Sequence, residues 1–447
     1  MLRIIESELL KWKNQPNHLP LLLRGARQVG KSYIIEKFGA LHFKNRVTVN
    51  FELQTSLNES FRSLDPQQIM SSLEVLTRSS IRPGETLLFL DEIQACPAAI
   101  QALRYFKEQV PELHVIGAGS LLEFVIQEEQ FSFPVGRVQF MYLKPLSFQE
   151  FLVALGETQL IAHLAKVDLQ APSSEAIHRH ALLLFKQYLL VGGMPAAVQE
   201  FLNSKSFLSA RRVHQLLLQA YQNDFGKYAT KTQYKNLQKL FEKAPGIVGS
   251  HFKYVAIDPE VRSRDLKTAV KQLAWAGLIH QVFETNASGI PLQSQVNDSK
   301  FKLVFLDVGL LQTATHLDID TISSEDIQQI NSGAIAEQVV GQELVAYSDL
   351  YESPGLYFWK REKKNSEAEV DYVVQLGSKI YPIEVKAGKT GHLRSLQSFI
   401  NEKNSDFGIR ISSAALSYQN RVLTIPFYLI TELHRLVQSI LLELDER

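Results

Sequence analysis

A single cysteine, Cys96, in 447 residues excludes an internal disulfide and any cysteine-rich zinc site. One thiol, best read as a small buried residue, suits a reducing compartment. Long apolar runs are missing too. None approaches the ~20 residues needed to cross a bilayer. Glu6, Glu8 and Lys11 break up the stretch where a signal peptide would carry its apolar core. Net charge is also absent, because 47 Lys plus Arg balance 47 Asp plus Glu. Any surface for nucleic acid therefore has to be local. With no internal repeat and no low-complexity tract, the expectation is a soluble, cytoplasmic, globular protein with no membrane partner.

The length exceeds one ordinary core and implies about two to four domains. Up to about residue 155, short apolar runs alternate with helical patterns. The runs are Leu19–Leu23, Val47–Phe51, Thr86–Leu90 and Leu113–Ile116. Such runs, bounded by turn or charged residues, are what buried parallel strands look like, so this part reads as a doubly wound α/β layer. A polar stretch over 170–175 reads as a loop, and helical patterning then dominates to Leu278. Strands return at Phe301–Phe305, Glu369–Val374, Lys379–Val385 and Val422–Leu429, before an amphipathic helix at Leu433–Leu444. Three units are expected, with boundaries near 205 and 315.

After the first apolar run comes Gly25-Ala26-Arg27-Gln28-Val29-Gly30-Lys31-Ser32, a full G-x-x-x-x-G-K-[ST]. Glycines let the backbone wrap a phosphate, and the N–H groups of the loop and following helix offer positive potential. Lys31 would reach the β- and γ-phosphates of ATP, and the Ser32 hydroxyl would ligate Mg²⁺. The run Thr86–Leu90 ends in Asp91 and Glu92. Asp91 would hold the magnesium, and Glu92 would orient or deprotonate the attacking water. Ser120, after Gly117-Ala118-Gly119, is placed to sense the γ-phosphate, although the stretch reads equally as a glycine-rich turn. Arg137 suits an arginine finger across a subunit interface, or a plain surface arginine.

With these residues the sequence resembles the prokaryotic AAA-type ATPases that carry a carboxy-terminal domain of formerly unknown function. The resemblance spans nearly the whole chain. It runs through Leu23–Ser32, Leu90–Gln94, Gly136-Arg137, Leu143–Leu152 and Tyr188–Pro195; Pro145-Leu146-Ser147-Phe148 and Gly192-Gly193-Met194-Pro195 are its most specific marks. It implies an ATPase domain with a helical lid over 1–204, a winged helix over 205–315, and a restriction-endonuclease-like α/β domain over 316–447. It also implies a homo-oligomer. Where the family commonly has Thr, this chain has Ser32, whose hydroxyl serves the same metal.

In the middle unit, Leu266, Val270, Leu273 and Leu278 form one helical face, and Arg264, Lys267 and Lys271 another. A basic stripe suits DNA phosphates, and equally a solvated face. Near the carboxy terminus, Glu384 and Lys386 fall on one side of a strand by period two. With Asp371 from a neighbouring strand and Glu337 from a helix, they form the Glu … Asp … Glu-x-Lys pattern of the PD-(D/E)xK superfamily, with Val370 where its name has proline. The carboxylates would converge on Mg²⁺ and Lys386 would assist attack on a phosphodiester. A catalytically silent binding module is the alternative. The tract Lys360–Lys364, after Tyr357-Phe358-Trp359, adds local positive charge or a solvated hairpin tip.

Overall fold

The computed structural model describes residues 1–120, 122–126, 133–227, 229, 231–316, 332–361, 368–388 and 393–445. Its first layer is a five-stranded sheet of β1 (Leu21–Arg24), β2 (Asn45–Asn50), β3 (Thr86–Asp91), β4 (His114–Ala118) and β5 (Gln139–Tyr142). The order is β2-β3-β4-β1-β5, and every pairing is parallel. The strands β3 and β4 are buried along their whole length, as uninterrupted apolar runs require when helices cover both faces. Strand β5 lies outside the four apolar runs of the sequence. It is an edge strand, mostly half-buried, and needs less apolar surface.

Because β1 sits between β4 and β5, the chain crosses the sheet at its centre, and the loops at the strands' carboxyl ends open there. Helix Lys31–His42 follows β1 directly, its first residue preceded by Gly30 at φ 96°.

Three helices follow, Glu175–Val191, Pro195–Ser204 and Phe207–Asp224. Among the described residues no single helix is long and apolar enough to cross a membrane; the first two pass that test only as a pair bent by 118°. Further helices at Lys231–Lys243, Tyr254–Ile257 and Ser263–Trp275 lead into the antiparallel hairpin β6 (Ile279–Thr285) and β7 (Val296–Phe305).

The last part runs helix Ser332–Ala346, β8 (Leu356–Lys360), β9 (Glu369–Val370), β10 (Tyr372–Leu376), β11 (Lys379–Lys386), helix Arg394–Lys403 and β12 (Gly408–Ser412). Strand β11 is antiparallel to β10 and parallel to β12. β13 (Ser417–Gln419) and β14 (Val422–Pro426) complete the sheet in the order β10-β11-β12-β14-β13. The expected strand over Val422–Leu429 stops at Pro426, where a 3₁₀ turn begins, and the final helix spans Leu433–Asp445. Strand β6 pairs in parallel with β8, so the β6–β7 hairpin joins β8 and β9 in a separate four-stranded sheet of order β7-β6-β8-β9.

The two most distinctive stretches of the sequence meet in a buried hub. Ser147 and Glu150 form a capping box on helix Phe148–Leu155, and the Phe148 N–H donates to Glu343 of helix Ser332–Ala346 at 3.2 and 3.1 Å. The Tyr188 hydroxyl lies 2.7 Å from the Leu146 carbonyl and 2.8 Å from Glu343 Oε1. The Gly193 N–H donates to Asp307 Oδ2 at 2.5 Å, and its carbonyl accepts from the Leu146 N–H at 2.7 Å. A β-carbon at Gly192 would overlap the Asp307 carboxylate, and one at Gly193 the Leu146 backbone. Only glycines fit there.

Burial raises the Glu343 carboxyl from its ordinary 4.5 to about 7, while hydrogen bonds from Tyr188 and Phe148 pull it back. A carboxyl raised on folding contributes stability that is full below its unfolded pKa and lost as pH climbs through the folded one. Melting temperature should therefore fall between pH 4.5 and 7, by an amount equivalent to roughly 3 kcal/mol from this group. Glu343→Gln should flatten that part of the profile. An unchanged slope in the variant would show that Glu343 is not its source.

Candidate nucleotide site and acid cluster

Gly25, Gln28 and Gly30 all take positive φ (145°, 68° and 96°), which curls the loop from β1 into the helix. A β-carbon at Gly25 would overlap the Leu143 carbonyl oxygen, so this glycine is demanded by packing as well as by φ. Lys31 Nζ turns back onto the Gly25 and Ala26 carbonyls at 2.9 and 2.8 Å. Burial lowers its pKa to about 8, with Glu92 and Asp91 opposing that shift.

The register pairs Leu23 with Ala118 and Ala118 with Asp91, so the carboxyl ends of β1, β4 and β3 lie level. There the Ser32 hydroxyl donates to Asp91 Oδ1 at 2.9 Å. Asn50, level with Asp91 on β2, donates to its other oxygen at 2.9 Å. Glu92 takes φ 50° and accepts from the Gln94 amide at 2.7 Å. Gly119 lets Gln94 come close, since a β-carbon there would overlap the Gln94 Oε1.

The loop is gripped from outside. Arg27 pairs with Asp224 at 2.5 Å, and the Tyr221 hydroxyl donates to the Arg27 carbonyl at 3.0 Å. A β-carbon on Gly277, in the turn after helix Ser263–Trp275, would come within 3.2 Å of the Ala26 side chain. Arg3 donates to the Val29 carbonyl at 3.1 Å and to Glu150 at 3.0 Å, which ties the loop to the buried hub. A cleft of about 300 Å³ lies between the loop and that turn, with Gly25, Ser120, Glu123, Lys144 and Trp275 in its walls. Ser120 is buried at this end of β4.

The cradle, the lysine and the paired Ser32–Asp91 oxygens fit a nucleoside triphosphate with its magnesium. Arg3, Asn50 and Asp224 are given no role from the sequence, and Gln94 only ends a matching run, although the four hold the loop, Asp91 and Glu92 in place. No local sequence signal marks Asn50, because strand order and register alone set it level with Asp91.

Arg137 lies elsewhere. It precedes β5, whose Gln139 pairs with Leu21 at the amino end of β1, a strand's length from the loop. Its side chain is half exposed and pairs with Glu108 at 3.1 Å. It cannot reach a phosphate on its own subunit.

In the middle unit, Leu266, Val270, Leu273 and Leu278 are buried as expected. Arg264, Lys267 and Lys271 are exposed. Of the tract Lys360–Lys364, residues 362–364 lie outside the described residues, and Arg361 is ion-paired with Glu402.

In the last unit, Glu384 and Lys386 share a face of β11, with Lys386 Nζ 2.6 Å from Glu384 Oε1. Asp371, between β9 and β10, accepts the Val385 N–H at 2.7 Å. Burial raises Glu384 to about 7 and Glu337 to about 8, and Asp371 adds to both shifts. Glu384 Oε2 is buried without a hydrogen-bond partner. Yet no three His, Cys, Asp or Glu side chains among the described residues are placed to hold one metal ion. The expected trio of Glu337, Asp371 and Glu384 forms an electrostatic cluster without converging as ligands. Asp371 is engaged by backbone, and Glu337 faces Lys302 at 3.7 Å. Lys302 also pairs with Glu369 at 2.6 Å.

Residues 17–152 match a family model described as an AAA domain. Residues 182–321 match a domain of unknown function (DUF8612), and residues 332–429 another (DUF4143). A search of curated proteins found no match. Among solved structures, the Walker-type ATPase PABY2304 of Pyrococcus abyssi is 15% identical, over 70% of this chain and 95% of its own, with a TM-score of 0.45. The ORC2 protein of Aeropyrum pernix in its ADP form is 13% identical, over 72% and 96%, with a TM-score of 0.31. Cdc6p of Pyrobaculum aerophilum is 12% identical, over 71% and 94%, with a TM-score of 0.24. Residues 17–152 are thus similar to an AAA domain, and they carry the loop Gly25–Ser32 on a parallel α/β sheet.

Proposed function

We propose that this protein binds and hydrolyses ATP with Mg²⁺ at the loop Gly25–Ser32, and that the cycle sets the state of its carboxy-terminal units. The observation that carries this reading is the Ser32–Asp91 hydrogen bond, with Glu92 next in the chain, where the carboxyl ends of β1 and β3 lie level. Ser32 and Asp91 would hold the magnesium, which offsets phosphate charge when bound. Lys31 holds the phosphates, Glu92 orients water while Gln94 positions it, and Ser120 contacts the γ-phosphate from the cleft. The direct test is phosphate release from ATP. Turnover should require Mg²⁺ and stop with EDTA, and a purified chain that releases no phosphate under any nucleotide or salt condition contradicts the reading.

The units are proposed as 1–204, 205–315 and 316–447. The middle one has the helix–helix–hairpin order of a winged helix, and the exposed Arg264, Lys267 and Lys271 support DNA as its partner.

Arg137, remote from its own loop, is proposed as a finger for the next subunit of a homo-oligomer. Arg137→Ala should keep ATP binding and lose ~10³-fold in turnover. Mixing it with Lys31→Ala subunits should restore part of the activity, because some interfaces then hold an intact loop facing an intact arginine. Normal turnover by Arg137→Ala alone removes the finger.

A Mg²⁺-dependent nuclease is the second reading for the last unit. It is favoured by the succession of a helix, four strands in two antiparallel pairs, a helix and a parallel strand, with Glu384 and Lys386 on one face. Nicking of supercoiled plasmid that is lost in Glu384→Ala and Lys386→Ala would support it. No nicking leaves the unit a binding module.

A further inference from the structure

Lys302 stands on β7, in the β6–β7 hairpin that shares a four-stranded sheet with β8 and β9. Its side chain is only 6% exposed. A buried ammonium persists only where opposite charge and hydrogen bonds replace water. Here Glu369 lies at 2.6 Å and Glu337 at 3.7 Å, and the Phe358 ring centroid at 5.3 Å presents its negative face. Although burial works against its charge, Glu337, Glu369 and Asp371 together hold the Lys302 pKa above its ordinary value. Glu369 is itself held on its far side by His251 at 2.6 Å. Lys386 does for Glu384 what Lys302 does for Glu337 and Glu369.

Glu337, Glu369, Asp371 and Glu384 are therefore served by two ammonium groups and a backbone N–H. Each of them already holds a lysine or an amide through at least one carboxylate oxygen. We propose that Lys302 is the resident cation of this cluster, balancing its carboxylates in place of a divalent metal. The carboxy-terminal unit then assembles its acids without metal, and β7 is part of the site rather than a neighbour of it. The inference concerns this cluster alone and stands whether or not the P-loop hydrolyses ATP. It bears directly on the nuclease reading, which needs an ion there.

The test counts Mn²⁺ bound to the nucleotide-free full-length chain by paramagnetic resonance and follows its melting. The wild type, Lys302→Arg and the double variant Asp371→Asn/Glu384→Gln should bind the same number of ions. Lys302→Met removes the charge and keeps the bulk. It should melt at least about 4 °C lower without metal, and Mn²⁺ should restore that loss with one additional ion bound. A wild type that binds one Mn²⁺ more than Asp371→Asn/Glu384→Gln overturns the proposal and favours the nuclease reading. So does a Lys302→Met chain that melts like the wild type in the absence of metal. Should Lys302→Met fail to fold, the comparison of wild type with the double variant still decides.

Discussion

Lys31→Ala should weaken ATP binding by ~10²–10³-fold, measured by titration calorimetry or with a fluorescent nucleotide. In the nucleotide-free loop this ammonium satisfies the Gly25 and Ala26 carbonyls, inside the curl where the phosphates would lie. Two or so charge-assisted hydrogen bonds to phosphate, each worth about 1.5–3 kcal/mol, set the size of the loss. The pKa near 8 adds a second signature. Lysine binds phosphate only when charged, so affinity for the free chain should hold below that pH and weaken above it. Lys31→Ala should lack this dependence. Unaltered binding by the variant would mean that nucleotide is held elsewhere.

Gly193→Ala should be the most damaging small substitution outside the nucleotide loop. The added methyl would overlap the Leu146 backbone, and the clash cannot be relieved by turning a side chain. Moving the chain would stretch the Gly193 N–H from Asp307, a fully buried carboxyl that burial already raises to about 6. Overpacking plus a lost charge-assisted hydrogen bond in a buried site amount to ~3–5 kcal/mol. That is enough to unfold the joint between the first helices and the carboxy-terminal part. Gly246→Ala is the matched control, because a β-carbon there meets nothing within 4 Å. Denaturant melts of the two variants should differ widely. Equal midpoints would show that the hub is not a point of strict packing.

The parts legible in the sequence are those written in consecutive residues. The loop Gly25–Ser32 follows a strand and opens a helix, and Asp91 and Glu92 end another buried strand, as their apolar runs foretold. Ser32 meets Asp91 because parallel strands bring their carboxyl ends level. Strand β5 escaped notice because an edge strand needs no unbroken apolar run. Arg137 could be named from its motif, but which end of the sheet it occupied depended on the register of β5. The marks Pro145–Phe148 and Gly192–Pro195 stood out without a reason until Glu343 and Asp307, more than a hundred residues later, closed on them. Lys302 was equally hidden. It looks like a solvated lysine in an apolar strand, and only the pairing of β6 with β8 sets it among the carboxylates. Long-range charge pairing has no local periodicity to betray it.

The measurement closest to the central claim is the nucleotide recovered from Glu92→Gln after incubation with MgATP and gel filtration. Glutamine keeps the length of the side chain, and its partner Gln94 stays in reach, but it cannot take a proton from water. Lys31, Ser32 and Asp91 still hold the phosphates and metal. The account predicts ATP bound to Glu92→Gln and ADP bound to the wild type. Recovery of ADP from both at equal rates would contradict it.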